Sequence, residues 1–270
     1  MGEKVAGNLM IIGGNEDKED SCVILKEFLR MAQGRESRIV IVTTASEYPR
    51  ELGEEYRTLF LSLGAKESSI LYINNRETAN GSPLAEMILE ATGIFFTGGD
   101  QLRLTSILGG SEVESAIRRA YRRGVVIAGT SAGASVMSDT MIVEGEANES
   151  AQKEAMTMAH GMGLLAEVVI DQHFAQRGRM NRLLSAVAQN PFVLGVGIDE
   201  DTALVVADNA KCRVIGSKTV TIVDGKQILH TNISESNPLD PLAITNLRVH
   251  ILPSGFGFDL KNRVPYLVNS

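Results

Sequence analysis

The sequence predicts an α/β sandwich, with a mostly parallel central sheet and helices on both faces. Two observations carry this. Strand-like and helix-like segments alternate through roughly the first 200 residues. The strand-like runs are apolar without a polar alternation, as expected of strands covered on both faces.

The elements follow in order. "LMIIGG" (9–14) and "RIVIVTT" (38–44) are the first two strands. Leu52, Tyr56, Leu59, Phe60 and Leu63 then recur at helical spacing, and Gly64 supplies the stop. "SILYIN" (69–74) and "GIFFTGG" (93–99) are further strands. Ser111 and Glu114 have capping-box spacing, and Val113, Ile117, Ala120 and Tyr121 fall on one helical face. "GVVIAGT" (124–130) and "VVIDQHF" (168–174) are strands. Met180, Leu183, Leu184 and Val187 form another helical stripe, ended by Asn190-Pro191 before the strand "VLGVGIDE" (193–200). The C-terminal part changes style. "TVTIVDGKQILHT" carries Asp224-Gly225 between alternating apolar residues, a hairpin signal, and "LRVHILPSGFGFDL" reads as strand and turn. These are expected as antiparallel additions to the sheet edge, so residues 1–270 form a single domain.

Composition narrows the function. The 270 residues are 44% hydrophobic and 22% charged, ordinary for a globular chain, with a net charge of −7. That balance argues against a nucleic-acid binder. Cys22 and Cys212 lie far apart without CxxC spacing, so neither a disulfide framework nor a zinc site is expected. The N-terminal "MGEKVAGNLMIIGGNED" has no signal-peptide core, and no apolar run is long enough to span a bilayer. A cytoplasmic setting without membrane attachment follows as the expectation. The early glycines lack G-x-G-x-x-G spacing, so no dinucleotide cofactor is expected.

Gly129-Thr130-Ser131-Ala132-Gly133 fits G-x-S-x-G. In a nucleophile elbow the serine sits on a sharp strand-to-helix turn, and small neighbours let the helix pack close to the strand. A helix start there would favour developing negative charge. The plain alternative is a tight turn whose serine caps a helix. A nucleophilic serine needs a base, and the base an orienting carboxylate. Of the four histidines, His160 lies in a glycine-rich loop, and His230 and His250 lie in the late strand region. His173 ends one strand, Ser131 another, and Glu200 a third. Residues just past parallel strand ends converge on one edge, where open α/β proteins place their sites. Asp199 and Asp201 flank Glu200, so the residues alone leave the choice of carboxylate open. The order serine, histidine, acid differs from that of the α/β-hydrolases.

"GTSAGA", "FTGGDQLRL" and "DQHFAQRGRMNRL" closely resemble the cyanophycinases, members of the peptidase E family of serine peptidases. The resemblance spans essentially the whole chain. It implies a flavodoxin-like fold similar to the class I glutamine amidotransferases, with serine in place of their cysteine. It assigns Ser131 as nucleophile, His173 as general base and Glu200 as the orienting acid. It implies a serine exopeptidase acting on cyanophycin, a polyaspartate backbone with arginine on each β-carboxyl, to release β-Asp-Arg dipeptides through an acyl-enzyme. It also places Gln101, Asp171, Gln172, Arg177, Arg179 and Arg182 around the nucleophile and implies a homodimer. Guanidinium forks suit the carboxylates of such a substrate. Asp171 and the two glutamines suit its arginine side chains and amides. The oxyanion hole is expected from the backbone N–H of Ala132 and that of Gly98 or Gly99, each donor contributing ~2.7–4 kcal/mol. No metal or organic cofactor is expected. The alternatives are an aspartyl dipeptidase of the same family, an esterase, and a catalytically silent binding protein.

Overall fold

A computed structural model describes residues 7–145, 150–153, 156–207 and 210–268. The beginning of the N-terminal stretch read above, residues 1–6, lies outside them. The chain opens with β1 (Leu9–Ile12), α1 (Val23–Met31), β2 (Arg38–Val42), α2 (Pro49–Ser62) and β3 (Glu67–Leu71). Two short helices, α3 (Arg76–Ala79) and α4 (Ser82–Glu90), lead to β4 (Gly93–Phe96). Then come α5 (Gln101–Leu108), α6 (Glu112–Arg122), β5 (Val126–Thr130) and the one-turn α7 (Ala132–Ser135). An antiparallel ribbon follows, made of β6 (Thr140–Glu144) and β7 (Thr157–His160). Next are β8 (Val168–Gln172), α8 (Met180–Gln189), β9 (Leu194–Ile198), β10 (Thr202–Val206), β11 (Lys211–Gly216) and β12 (Thr219–Asp224). The last elements are the small ribbon of β13 (His230–Thr231) and β14 (Ile244–Thr245), then β15 (Arg248–Pro253), β16 (Phe256–Asp259) and β17 (Val264–Leu267).

The main sheet has the order β17-β16-β11-β10-β1-β5-β4-β2-β3. Its β1, β5, β4, β2 and β3 run parallel, and β10, β11, β16 and β17 extend it antiparallel. Both faces are covered. Leu9, Ile11, Val42 and Phe96 point to one apolar cluster with Leu104, Ile117 and Val136. Met10, Ile12, Ile41 and Phe95 point to the other, under Phe28, Tyr56 and Phe60 of α1 and α2. This two-residue alternation between two buried faces explains why the strands read as unbroken apolar runs. The helix signals hold as well. Gly64 follows α2 at φ +100, and the Ser111 hydroxyl accepts from Glu114 N at 3.2 Å to cap α6.

Two expectations need correcting. The runs around 168 and 194 form β8 and β9 of a second, four-stranded sheet of order β15-β12-β9-β8. They are parallel to each other, and their apolar residues share the larger cluster with the main sheet. The Asp224-Gly225 turn does not close a hairpin. β12 pairs instead with β9 and β15. Asp224 is diverted into a buried ion pair with Arg263 at 2.6 Å and caps the Lys226 amide at 3.0 Å. The chain therefore leaves the sheet at that turn. Among the described residues no helix is long and apolar enough to cross a membrane.

Candidate active site

The turn after β5 is built by what its neighbours lack. A β-carbon on Gly129 would lie 2.3 Å from the Gly133 carbonyl oxygen, and one on Gly133 would lie 2.5 Å from that of Phe96. Only glycine lets α7 sit this close to β5 and β4. Ser131 itself takes φ 53, ψ −111, a conformation rare for a side-chain-bearing residue. Its N–H donates to the Ile12 carbonyl at 3.1 Å.

His173 follows β8 with φ 47, and its N–H donates to the Gly13 carbonyl at 2.8 Å. Its ring lies against Gly14, where a β-carbon would fall 2.3 Å from Cε1. Nε2 is 2.9 Å from Ser131 Oγ, and Nδ1 is 2.8 Å from Glu200 Oε1. A proton on Nδ1, held by Glu200, leaves Nε2 free to accept from the serine hydroxyl. Burial lowers the His173 pKa from its ordinary 6.5, outweighing the Glu200 hydrogen bond that raises it. Burial acts to raise the Glu200 pKa, but hydrogen bonds from His173 and Asn15 leave it lowered overall.

The flanking carboxylates are occupied elsewhere. Asp199 is buried and accepts from Ala175 N at 3.0 Å and from Thr219 Oγ1 at 2.8 Å. Asp201 Oδ1 accepts from Asp17 N at 2.9 Å. Only Glu200 of the three reaches His173 among the described contacts.

A cleft of about 540 Å³ opens over Ser131 and His173, lined also by Gly98, Thr130, Tyr56 and the 15–20 loop. Gly98 faces it, and a β-carbon there would be 3.5 Å from Ser131 Cβ. Gly99 turns away, with φ +140 and its missing β-carbon aimed 2.0 Å from the Ala45 carbonyl oxygen. Ala132 opens α7 directly after Ser131. That helix is a single turn, too short for the dipole contribution expected from the sequence.

None of the remaining sequence-predicted residues lines this cleft, and four of them are bonded to one another. Arg182 forks onto Asp171, with Nε to Oδ2 at 2.7 Å and a terminal nitrogen to Oδ1 at 2.5 Å. The two are 4% and 1% exposed, and neither lines the cleft. Arg179 donates to the Gln172 carbonyl at 2.6 Å, to Gln172 Oε1 at 3.0 Å and to Asp171 at 3.3 Å. Burial pulls its pKa down to about 10. Arg177 is exposed. Gln101 Nε2 donates to the carbonyls of Ile142 and Val143, tying α5 to β6. The opposite charges that the sequence suggested as open receptors thus meet each other. Breaking a buried pair leaves one charge uncompensated, so Arg182→Ala is expected to cost about 3–5 kcal/mol of stability. Urea denaturation followed by circular dichroism measures it; an unchanged midpoint would deny Arg182 this role.

The sequence reading passed over Asn15, Glu16 and Thr130. All three line the cleft, and Glu16 is buried there. The signal was available: "NED" stands immediately past a buried strand, on the edge that also carries Ser131.

Residues 9–214 match the model of peptidase family S51. The chain belongs to peptidase family S51. As a member it is a serine-type peptidase. Among curated relatives, this S51 chain is 41% identical over 266 residues to a cyanophycinase of Geminocystis herdmanii, covering 98% of each. It is 42% identical over 256 residues to a cyanophycinase of Trichormus variabilis, covering 94% of this chain and 86% of that one. Among solved structures it is similar to a peptidase from an acI-B1 Actinobacterium, with a TM-score of 0.70 over 95% of this chain and 98% of that one. At 22% identity, that last likeness bears on the fold alone.

Proposed function

We propose that this S51 peptidase hydrolyses the aspartate backbone of cyanophycin and releases β-Asp-Arg dipeptides. The observation that carries the reaction is the hydrogen-bonded chain Ser131–His173–Glu200 at 2.9 and 2.8 Å, opening into a cleft. The substrate is supported by the names of the relatives at 41% and 42% identity.

The 2.9 and 2.8 Å contacts support the following steps. His173 takes the Ser131 proton as Oγ attacks the carbonyl carbon, and Glu200 stabilises the imidazolium that forms. The N–H groups of Ala132 and Gly98 hold the oxyanion; Gly98 is preferred to Gly99 because it faces the cleft. His173 returns its proton to the leaving amine, then activates the water that releases the acyl group. Arg179 and Arg177 take substrate carboxylates, Gln172 takes amides, and Asp171, paired with Arg182, holds Arg179. Gln101 braces the wall. The reading carries with it one domain spanning 1–270, a cytoplasmic setting and a homodimer.

Neutral His173 is the working form. Since burial lowers its pKa from the ordinary 6.5, kcat/KM is expected to rise with pH along a limb centred below 6.5. A limb centred at or above 6.5 would contradict this assignment.

Arg179→Ala is expected to slow cyanophycin cleavage roughly 10- to 150-fold more than it slows acylation by a fluorophosphonate probe. Equal losses would take Arg179 out of substrate binding. The dipeptidase reading is separated by comparing kcat/KM for cyanophycin with that for plain aspartyl dipeptides. Faster cleavage of the dipeptides would replace the polymer reading.

A further inference from the structure

The end of β1 and the segment after it run along the triad. Two consecutive carbonyls bond triad residues through the backbone, Ile12 accepting from Ser131 N at 3.1 Å and Gly13 from His173 N at 2.8 Å, and the next, Gly14, accepts from N of Asp201, the residue after Glu200, at 2.9 Å. The next residues continue with side chains. Asn15 hydrogen-bonds Glu200. Glu16 then reaches to the nucleophile side. It is 4% exposed, and both carboxylate oxygens accept from hydroxyls, Oε1 from Tyr56 at 2.5 Å and Oε2 from Thr130 Oγ1 at 2.6 Å.

Both partners are fixed. Tyr56 is buried among aromatic rings, its ring centroid 4.7 Å from that of Phe95 and 6.0 Å from that of Phe60. Thr130 ends β5 and immediately precedes Ser131. A buried carboxylate is costly to keep, and an apolar residue of similar volume would ordinarily fold at least as well there. A strained backbone persists only where its surroundings over-determine it, and Ser131 at φ 53, ψ −111 is such a residue.

We propose that Glu16 is a positioning residue for the nucleophile: clamped by Tyr56, it fixes Thr130 and so holds the Ser131 turn where Oγ meets His173. The proposal rests on the triad reading above. Glu16 touches no reacting atom; it acts through Thr130.

The test is a double-mutant cycle of Glu16→Gln and Thr130→Val, read per folded molecule after circular dichroism has set the folded fraction. Glu16→Gln keeps the side-chain shape with one acceptor oxygen fewer. Thr130→Val keeps the shape and removes the hydroxyl. Each is expected to lower both kcat on cyanophycin and the fluorophosphonate acylation rate roughly 10- to 100-fold, with KM held within about twofold. The double variant is expected to fall no further than the worse single one. Wild-type acylation in both singles, additive losses, or a raised KM with kcat unchanged would each overturn the proposal. Ser131→Ala, assayed alongside, separates the two readings. If it still hydrolyses, the triad fails and the brace with it. If it is inactive while the brace variants label at the wild-type rate, only the brace fails.

Discussion

Ser131→Ala is expected to lower hydrolysis of cyanophycin about a millionfold, the scale of loss when the nucleophile of a catalytic triad is removed. The change deletes one hydroxyl and one hydrogen bond, the 2.9 Å contact to His173. The backbone bonds that hold the turn remain, since Ser131 N donates to Ile12 and its carbonyl accepts from Ala134 N and Ser135 N. The melting temperature should therefore barely move. Steady-state assay and thermal melting of the same preparation check both halves. Retention of more than about a hundredth of the wild-type rate would take the nucleophile role from Ser131.

Glu200→Gln is expected to lower kcat roughly ten-thousandfold, the scale of loss for amide replacement of an orienting triad carboxylate. A carboxamide can present its NH2 to Nδ1. That places the imidazole proton on Nε2, where it blocks acceptance from Ser131, and no charge remains to stabilise the imidazolium. Asp199→Asn should behave differently. Asp199 accepts from Ala175 N, Thr219 N and Thr219 Oγ1, so the substitution should cost about 1–3 kcal/mol of stability with kcat within tenfold. Asp201→Asn touches only the Asp17 amide among the side-chain contacts described and should be milder still. Kinetics and denaturation of the three variants side by side give the answer. The largest kcat loss at Asp201 would reassign the acid.

The parallel half of the fold was legible because β1, β2, β4 and β5 are buried on both faces, and α2 and α6 carry apolar stripes, with a stop at Gly64 and a start at Ser111. Ser131 and His173 were legible as candidates because each stands just past an apolar run; for the carboxylate the residues left Asp199, Glu200 and Asp201 open, and the family resemblance singled out Glu200. What the sequence did not carry was sheet membership. Val168–Gln172 and Leu194–Ile198 are as apolar as the strands of the main sheet, and nothing local says that they pair in a second one. Long-range partners decided the other points. Asp224 is claimed by Arg263, 39 positions away, and Asp171 by Arg182. Neither pairing is visible in the turn signal or in the charge run. The place of Glu16 past β1 was legible, but its partners Tyr56 and Thr130, 40 and 114 positions away, were not.

The most direct measurement is mass analysis of the soluble products after purified cyanophycin is incubated with the wild-type chain and with Ser131→Ala. The account predicts that β-Asp-Arg dipeptides accumulate with the wild-type chain and that none form with the variant. Free arginine with an intact polyaspartate backbone, or dipeptide release that survives Ser131→Ala, would contradict it.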